Sequence, residues 1–141
     1  MTRIDFHSNV PDKIAYACRL TRKAYLAGKR VVLMTKDVTQ LGQLDQARWT
    51  FSETDFLPHV LASDALAAQT PIVLSDRDSD ELPHFDMLVN LSQRLPANFS
   101  RFERVFEIIS SDPEDVAAGR KRYLAYKQQD YQPAHFVAGK T

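Results

Sequence analysis

The feature that most restricts how this chain can fold is a set of short, unbroken apolar runs. Arg30-Val31-Val32-Leu33-Met34 is continuous where a half-exposed strand would alternate, and it has a turn at each end. That is the pattern of a strand buried on both faces, which is found in parallel sheets covered by helices. Pro71-Ile72-Val73-Leu74, Asp86-Met87-Leu88-Val89-Asn90 and Arg104-Val105-Phe106-Glu107-Ile108-Ile109 supply further strands, and Ile4 and Phe6 mark a short first one. Between them, Pro11-Asp12 starts a helix that runs to about Ala27 with an apolar stripe of Ile14, Cys18, Thr21 and Tyr25, and Gly28 stops it. Asp37 is expected to cap a second helix with Val38, Leu41 and Leu44 on one side, ending near Trp49. From Thr50 to Thr70 the pattern lapses into loop with a turn of helix, and a short helix at Asn98 to Phe102 precedes the last strand. Asp112-Pro113-Glu114-Asp115 opens the final helix, with a capping carboxylate, proline at the first position and acids at the positive end of the dipole; it runs to about Gln129. Strands alternating with helices and long crossovers predict an α/β fold: an open, doubly wound, mostly parallel sheet with helices on both faces. A chain of 141 residues has room for one domain, expected over residues 1–132, with 133–141 a flexible tail.

In such a sheet a nucleotide phosphate needs a glycine-rich turn that leads into a helix N-terminus. Here the first crossover is His7-Ser8-Asn9-Val10-Pro11-Asp12, without glycine and with a carboxylate where the phosphate would sit. The whole chain has four glycines, too few and too scattered for a dinucleotide or nucleoside-triphosphate loop. The arrangement is Rossmann-like without a nucleotide-binding loop, and no cofactor is expected.

Eighteen basic residues are matched by eighteen acidic ones, so little direct nucleic-acid affinity is expected and any polyanion site has to be local. One cysteine, Cys18, excludes a disulfide framework and suits a reducing cytoplasm. No apolar run approaches a membrane span and no signal core opens the chain, so a cytoplasmic protein is expected. Asp76-Arg77-Asp78-Ser79-Asp80-Glu81 is the strongest enzymatic candidate. Asp76, Asp78 and Asp80 could hold a divalent metal for phosphoryl transfer, although an exposed acidic loop has the same composition. The four histidines, His7, His59, His84 and His135, lack ligand spacing, so no metal site is assigned to them.

The final helix carries chemistry. At 100° per residue, with Val116 at zero, Arg120 falls near 40°, Lys127 near 20° and Tyr123 near 340°. A core stripe would not hold two cations, and a solvent stripe would not need the tyrosine. Either the Arg and Lys stems lie over apolar surface, or the stripe is a docking site where a ring packs while a carboxylate meets guanidinium and ammonium.

The Gly28-Lys29-Arg30-Val31 turn, Leu44-Asp45 leading to Trp49, Phe56-Leu57-Pro58-His59, and Arg120-Lys121-Arg122-Tyr123 followed by Ala125-Tyr126-Lys127 together resemble the chi subunit of bacterial DNA polymerase III over nearly the whole chain. The resemblance implies a doubly wound α/β fold with no nucleotide site and no active site of its own. It also implies an accessory role in DNA replication, bridging the clamp loader, through a small partner called psi, to single-stranded-DNA-binding protein, as a monomer or in a 1:1 heterodimer. It gives Arg120, Tyr123 and Lys127, with Trp49 and Ile109, as the pocket for that protein's acidic C-terminal tail, which ends in phenylalanine. Phe56, Pro58 and His59 become the surface for psi or a helicase. Trp49 as plain core and Phe56 as a loop anchor are the structural alternatives. Val116 and Leu124 stand where further lysines would be expected, so the tail is expected to bind more weakly or with less salt sensitivity.

Overall fold

The unbroken apolar runs become the interior strands of a parallel sheet. The computed structural model describes residues 2–46, 58–62, 64, 67–76 and 82–138. Among them, β1 (Arg3–Val10), β2 (Val31–Met34), β3 (His59–Leu61), β4 (Ile72–Ser75), β5 (Met87–Asn90), β6 (Arg104–Ser110) and β7 (Ala134–Val137) form one seven-stranded sheet in the order β3-β4-β2-β5-β6-β1-β7. Every pairing is parallel. All residues of β2, β4 and β5 are buried, as their lack of alternation requires.

Three α-helices are described: α1 (Lys13–Leu26), α2 (Val38–Asp45) and α3 (Pro113–Gln128). Phe106 and Ile108 of β6 pack with Ala17 and Ala24 of α1 and Leu44 of α2. The alternate residues Val105 and Ile109 pack with Tyr126 of α3 and with Phe99 and Phe102 of a 3-10 turn, so helices cover both faces. The caps follow the sequence. Asp12 accepts from the Ala15 amide at 3.1 Å, Asp37 from Gln40 at 2.8 Å and Asp112 from Glu114 at 2.9 Å. Gly28, just past α1, takes φ +80°, a left-handed conformation that costs glycine little.

Three expectations are corrected. Val38 does not share the buried side of α2: it is 72% exposed, and the inward position goes to Gln40, whose Oε1 accepts from the Lys36 amide at 2.9 Å. His59–Leu61, expected as loop, is an edge strand paired with β4, too short and too half-buried to show a period. Ala134–Val137, expected in the tail, pairs with β1 from Asp5↔Ala134 to Ser8↔Val137, and the Ala138 amide donates to the Ser8 carbonyl at 2.8 Å.

The carboxyl ends of the strands, where ligands of such sheets commonly sit, are occupied by the protein's own cations. Arg94 donates to the carbonyls of Lys36 at 3.0 Å, Thr35 at 3.2 Å and Asp76 at 3.1 Å. Lys13 donates to the Leu91 carbonyl at 2.8 Å and to Asp115 at 3.0 Å. Burial pulls the Lys13 ammonium down against the Asp115 carboxylate. Burial alone would raise Asp115, but the Ser110 amide and Lys13 outweigh it and hold the carboxyl below its usual range.

Candidate functional site

α3 is fixed to the sheet by a buried ion pair. Glu107, in the middle of β6 and fully buried, accepts from Arg122 Nε at 3.0 Å, Asn90 Nδ2 at 2.9 Å and the Tyr126 hydroxyl at 2.6 Å. Burial pushes the Glu107 carboxyl up, while Arg122 and these hydrogen bonds pull it back. A glutamate inside a strand covered on both faces has to find such partners.

With Arg122 and Tyr126 facing inward, Val116, Arg120 and Tyr123 fall on one flank of the helix. There they line a hollow of about 500 Å³ with Ile109 of β6, Phe6 and Ser8 of β1 and His135 of β7. The floor depends on Gly119. A Cβ at that position would lie well inside van der Waals contact with Ile109 Cδ1 and 3.1 Å from its Cγ1. Tyr123 packs edge-on against Phe6, with ring centroids 5.2 Å apart. On the opposite wall Ser8 Oγ and His135 Nε2 are hydrogen-bonded at 2.7 Å, and Asn9 beside them takes φ 57°. Arg120 is exposed at the mouth, and among the described residues its guanidinium has no ion-pair partner. The hollow therefore offers an apolar, ring-lined interior with a cation at its rim.

Of the five residues expected at a tail pocket, the structure brings Arg120, Tyr123 and Ile109 together. Lys127 lies one turn further along, outside the lining, with its ammonium 5.7 Å from the Tyr123 ring centroid. Trp49 lies outside the described residues, as does Phe56. Pro58 is exposed, and His59 begins β3, its Nε2 3.6 Å from Asp45 Oδ1. β3 and β7 are the two edges of the sheet, so His59 and the hollow lie at opposite ends. Phe6, Ser8, Asn9, Gly119 and His135 were not expected in the lining. Most reach it from strands remote in sequence, and only Gly119, between Val116 and Tyr123, carried a local signal.

Asp78 and Asp80 of the acidic segment lie outside the described residues. Among the described residues no group of three or more His, Cys, Asp or Glu is placed to hold a metal, and no helix is long and apolar enough to cross a membrane. Cys18 is half-buried, and burial, reinforced by Asp12, pushes its thiol up to about 11, away from nucleophilic chemistry.

A family model described as "DNA polymerase III chi subunit, HolC" matches residues 1–134. The DNA polymerase III subunit chi of Pseudomonas aeruginosa is 32% identical over 135 residues, covering 93% of each chain. That of Haemophilus influenzae is 27% identical over 115 residues, covering 82% of this chain and 80% of its own. That of Escherichia coli K12 is 24% identical over 110 residues, covering 78% and 75%.

Proposed function

Because the chain belongs to the DNA polymerase III chi subunit family, and with it to DNA replication, we propose that it is a non-catalytic adaptor whose hollow beside α3 holds the acidic, phenylalanine-ended tail of single-stranded-DNA-binding protein. The observation that carries this is the pairing of an apolar floor at Ile109 and Gly119 with the Arg120 guanidinium at the rim. A terminal phenylalanine needs both: its ring packs against Tyr123 and Ile109 while its carboxylate accepts a charge-assisted bond from Arg120. Lys127, over the outer face of Tyr123, adds positive charge for the acidic residues that precede the ring. A second surface around Phe56, Pro58 and His59 faces the clamp loader through psi, or a helicase. That β3 and β7 are opposite edges of the sheet supports two partners bound at once.

The test is calorimetry with a tail peptide as free acid and as C-terminal amide. Arg120→Ala and amidation should each cost about 2–3 kcal/mol, because each removes one side of the same charged hydrogen bond. Equal affinity of acid and amide would remove the carboxylate pocket from the account. In the same instrument, stoichiometric heat with magnesium would favour the competing metal reading of Asp76, Asp78 and Asp80.

A further inference from the structure

Tail binding through Arg120 uses only one of the two polar walls of the hollow beside α3. Arg120 stands on the helix side, while Ser8 and Asn9 of β1 and His135 of β7 form the other. Arg120 and His135 are both exposed, so both are open to whatever enters. No aspartate or glutamate is among the described lining residues, so neither is neutralised from within the hollow. His135 Nε2 is 2.7 Å from Ser8 Oγ. A serine hydroxyl both donates and accepts, so this contact survives protonation of the ring: Ser8 donates to the neutral imidazole and accepts from the imidazolium. Among the described residues Nδ1 of His135 has no hydrogen-bond partner, which leaves it for a ligand. The charged and titratable groups around His135 come from two elements. From α3 it faces Arg120 and Tyr123 across the hollow, with Lys127 one turn beyond. From β1 it is near His7, which packs on Phe106 on the other face of the sheet, where Asp5 and Arg104 are paired. Burial holds His7 below its ordinary value of 6.5; Asp5 pulls it back up, and Arg104 and His135 push it further down, so His7 is mostly neutral at that pH and above.

We infer that His135 is a second anion-recognising residue of this hollow: its Nδ1–H donates to a carboxylate of the bound tail on the wall opposite Arg120, and binding takes up a proton. This rests on the tail reading of the hollow and adds to it the residue that makes the affinity depend on pH. The tail has two kinds of carboxylate, its terminus and its acidic side chains, and the same chemistry serves both. Arg120 holds one negative charge, so a ligand that carries several has use for a second donor facing the first. Arginine, lysine and carboxylates keep their charge between about pH 6 and pH 8 and tyrosine stays neutral; histidine is the side chain that ordinarily changes charge there. A carboxylate beside the imidazole favours its charged form. The complex therefore keeps the proton to a higher pH than the free protein does, and affinity rises as pH falls through that range. An ion pair this exposed is weak, so the gain is about 3- to 5-fold, about 0.6–1 kcal/mol.

The test is calorimetry of the full chain with an acetylated peptide that has an acidic stretch and a terminal phenylalanine, at about pH 8 and about pH 6 in buffers of different ionisation enthalpy. Affinity should be about 3- to 5-fold higher at the lower pH, and the heat should vary with buffer in the sense of proton uptake. His135→Gln can bond Ser8 but cannot charge, so it should lose both the rise and the uptake. His135→Lys is charged throughout and should bind at the higher pH about as tightly as the unaltered protein does at the lower one, with a flat profile. Amidating the peptide's C-terminus removes the rise if the terminal carboxylate is the partner of His135, and replacing the acidic residues by asparagine removes it if a side chain is. A rise that survives both changes in one peptide, or that persists in His135→Gln, would overturn the inference. Binding that is equal at the two pH values overturns the role of His135 and leaves the tail pocket standing; no binding at either pH overturns both.

Discussion

Replacing Gly119 by alanine sets two opposing effects against each other. Glycine inside a helix costs about 1 kcal/mol relative to alanine, so helix propensity alone predicts that Gly119→Ala stabilises the protein by that amount. The added Cβ, however, would lie 3.1 Å from Ile109 Cγ1, 3.6 Å from Cγ2 and much closer to Cδ1. Carbon pairs settle at about 3.5–4.0 Å, so the δ-methyl has to retreat by about 1 Å or more. Ile109 is 6% exposed and both residues line the hollow beside Arg120, so the methyl has room on that side. Overpacking of this kind costs about 1–3 kcal/mol. Set against the propensity gain, the net loss is about 0–2 kcal/mol, read from urea unfolding midpoints. Binding should suffer more, because the displaced methyl occupies the space proposed for the phenylalanine ring: tail-peptide affinity should fall about 10- to 100-fold, the same about 1–3 kcal/mol of misfit. Ile109→Val removes Cδ1 and alone costs about 0.5–1.5 kcal/mol. In the double variant the severe contact with Cδ1 is gone and only the 3.1 Å approach to Cγ1 is left, so the two changes should couple by at least about 1 kcal/mol. If Gly119→Ala stabilises by the full propensity term and the pair is additive, the close approach of α3 to β6 plays no part.

Glu107→Ala leaves Arg122 as an uncompensated buried charge and removes the acceptor for Tyr126 and Asn90, so it should cost about 3–5 kcal/mol in urea unfolding; a loss under about 1 kcal/mol would refute the anchor. Burial holds the His7 and His84 imidazoles below their ordinary value of 6.5, so the unfolded chain takes up protons first. Stability should be level above about pH 6.5 and fall as pH drops through the lowered folded values, and an unfolding midpoint no lower at about pH 5.5 than at pH 7.5 would contradict this. Phe56→Ala should weaken capture of psi or its substitute by about 2 kcal/mol or more while tail binding and Tm stay unchanged. A joint fall would make Phe56 a core residue.

The interior of the fold was legible in the sequence because burial on both faces leaves unbroken apolar runs, as in Val31–Met34. The edges were not. Edge strands have one neighbour and one covered side, so His59–Leu61 and Ala134–Val137 lack the composition that marked the interior. Val38 misled because it is apolar but sits at the first position of α2, where the Asp37 cap turns it outward, while polar Gln40 goes in to satisfy a backbone amide. Half of the candidate site was legible for a similar reason. Arg120 and Tyr123 share a helix face that residue spacing reveals, but Phe6, Ser8 and His135 join them only through strand pairing across more than 100 positions. Glu107 was expected only as one residue of a strand; the cation that its burial requires, Arg122, comes from the packing of α3 on β6 and not from spacing.

The position of β1 affects how the protein is made. Of the seven described strands, the first to leave the ribosome lies between two that leave late: Arg3 pairs with Arg104, and Asp5 with Ala134. At about 5–20 residues per second, the nascent chain waits roughly 5–20 s before β6 exists to receive β1, and longer for β7. Through that interval Ile4 and Phe6, which end 3% and 2% exposed, have neither of β1's neighbouring strands beside them. The hollow beside α3 draws its walls from β1, β6, α3 and β7, so its lining is incomplete until His135 has been added. A product of stalled or early-terminated synthesis that ends before β7 lacks one wall, and it would compete poorly with finished subunits for whatever ligand the hollow takes.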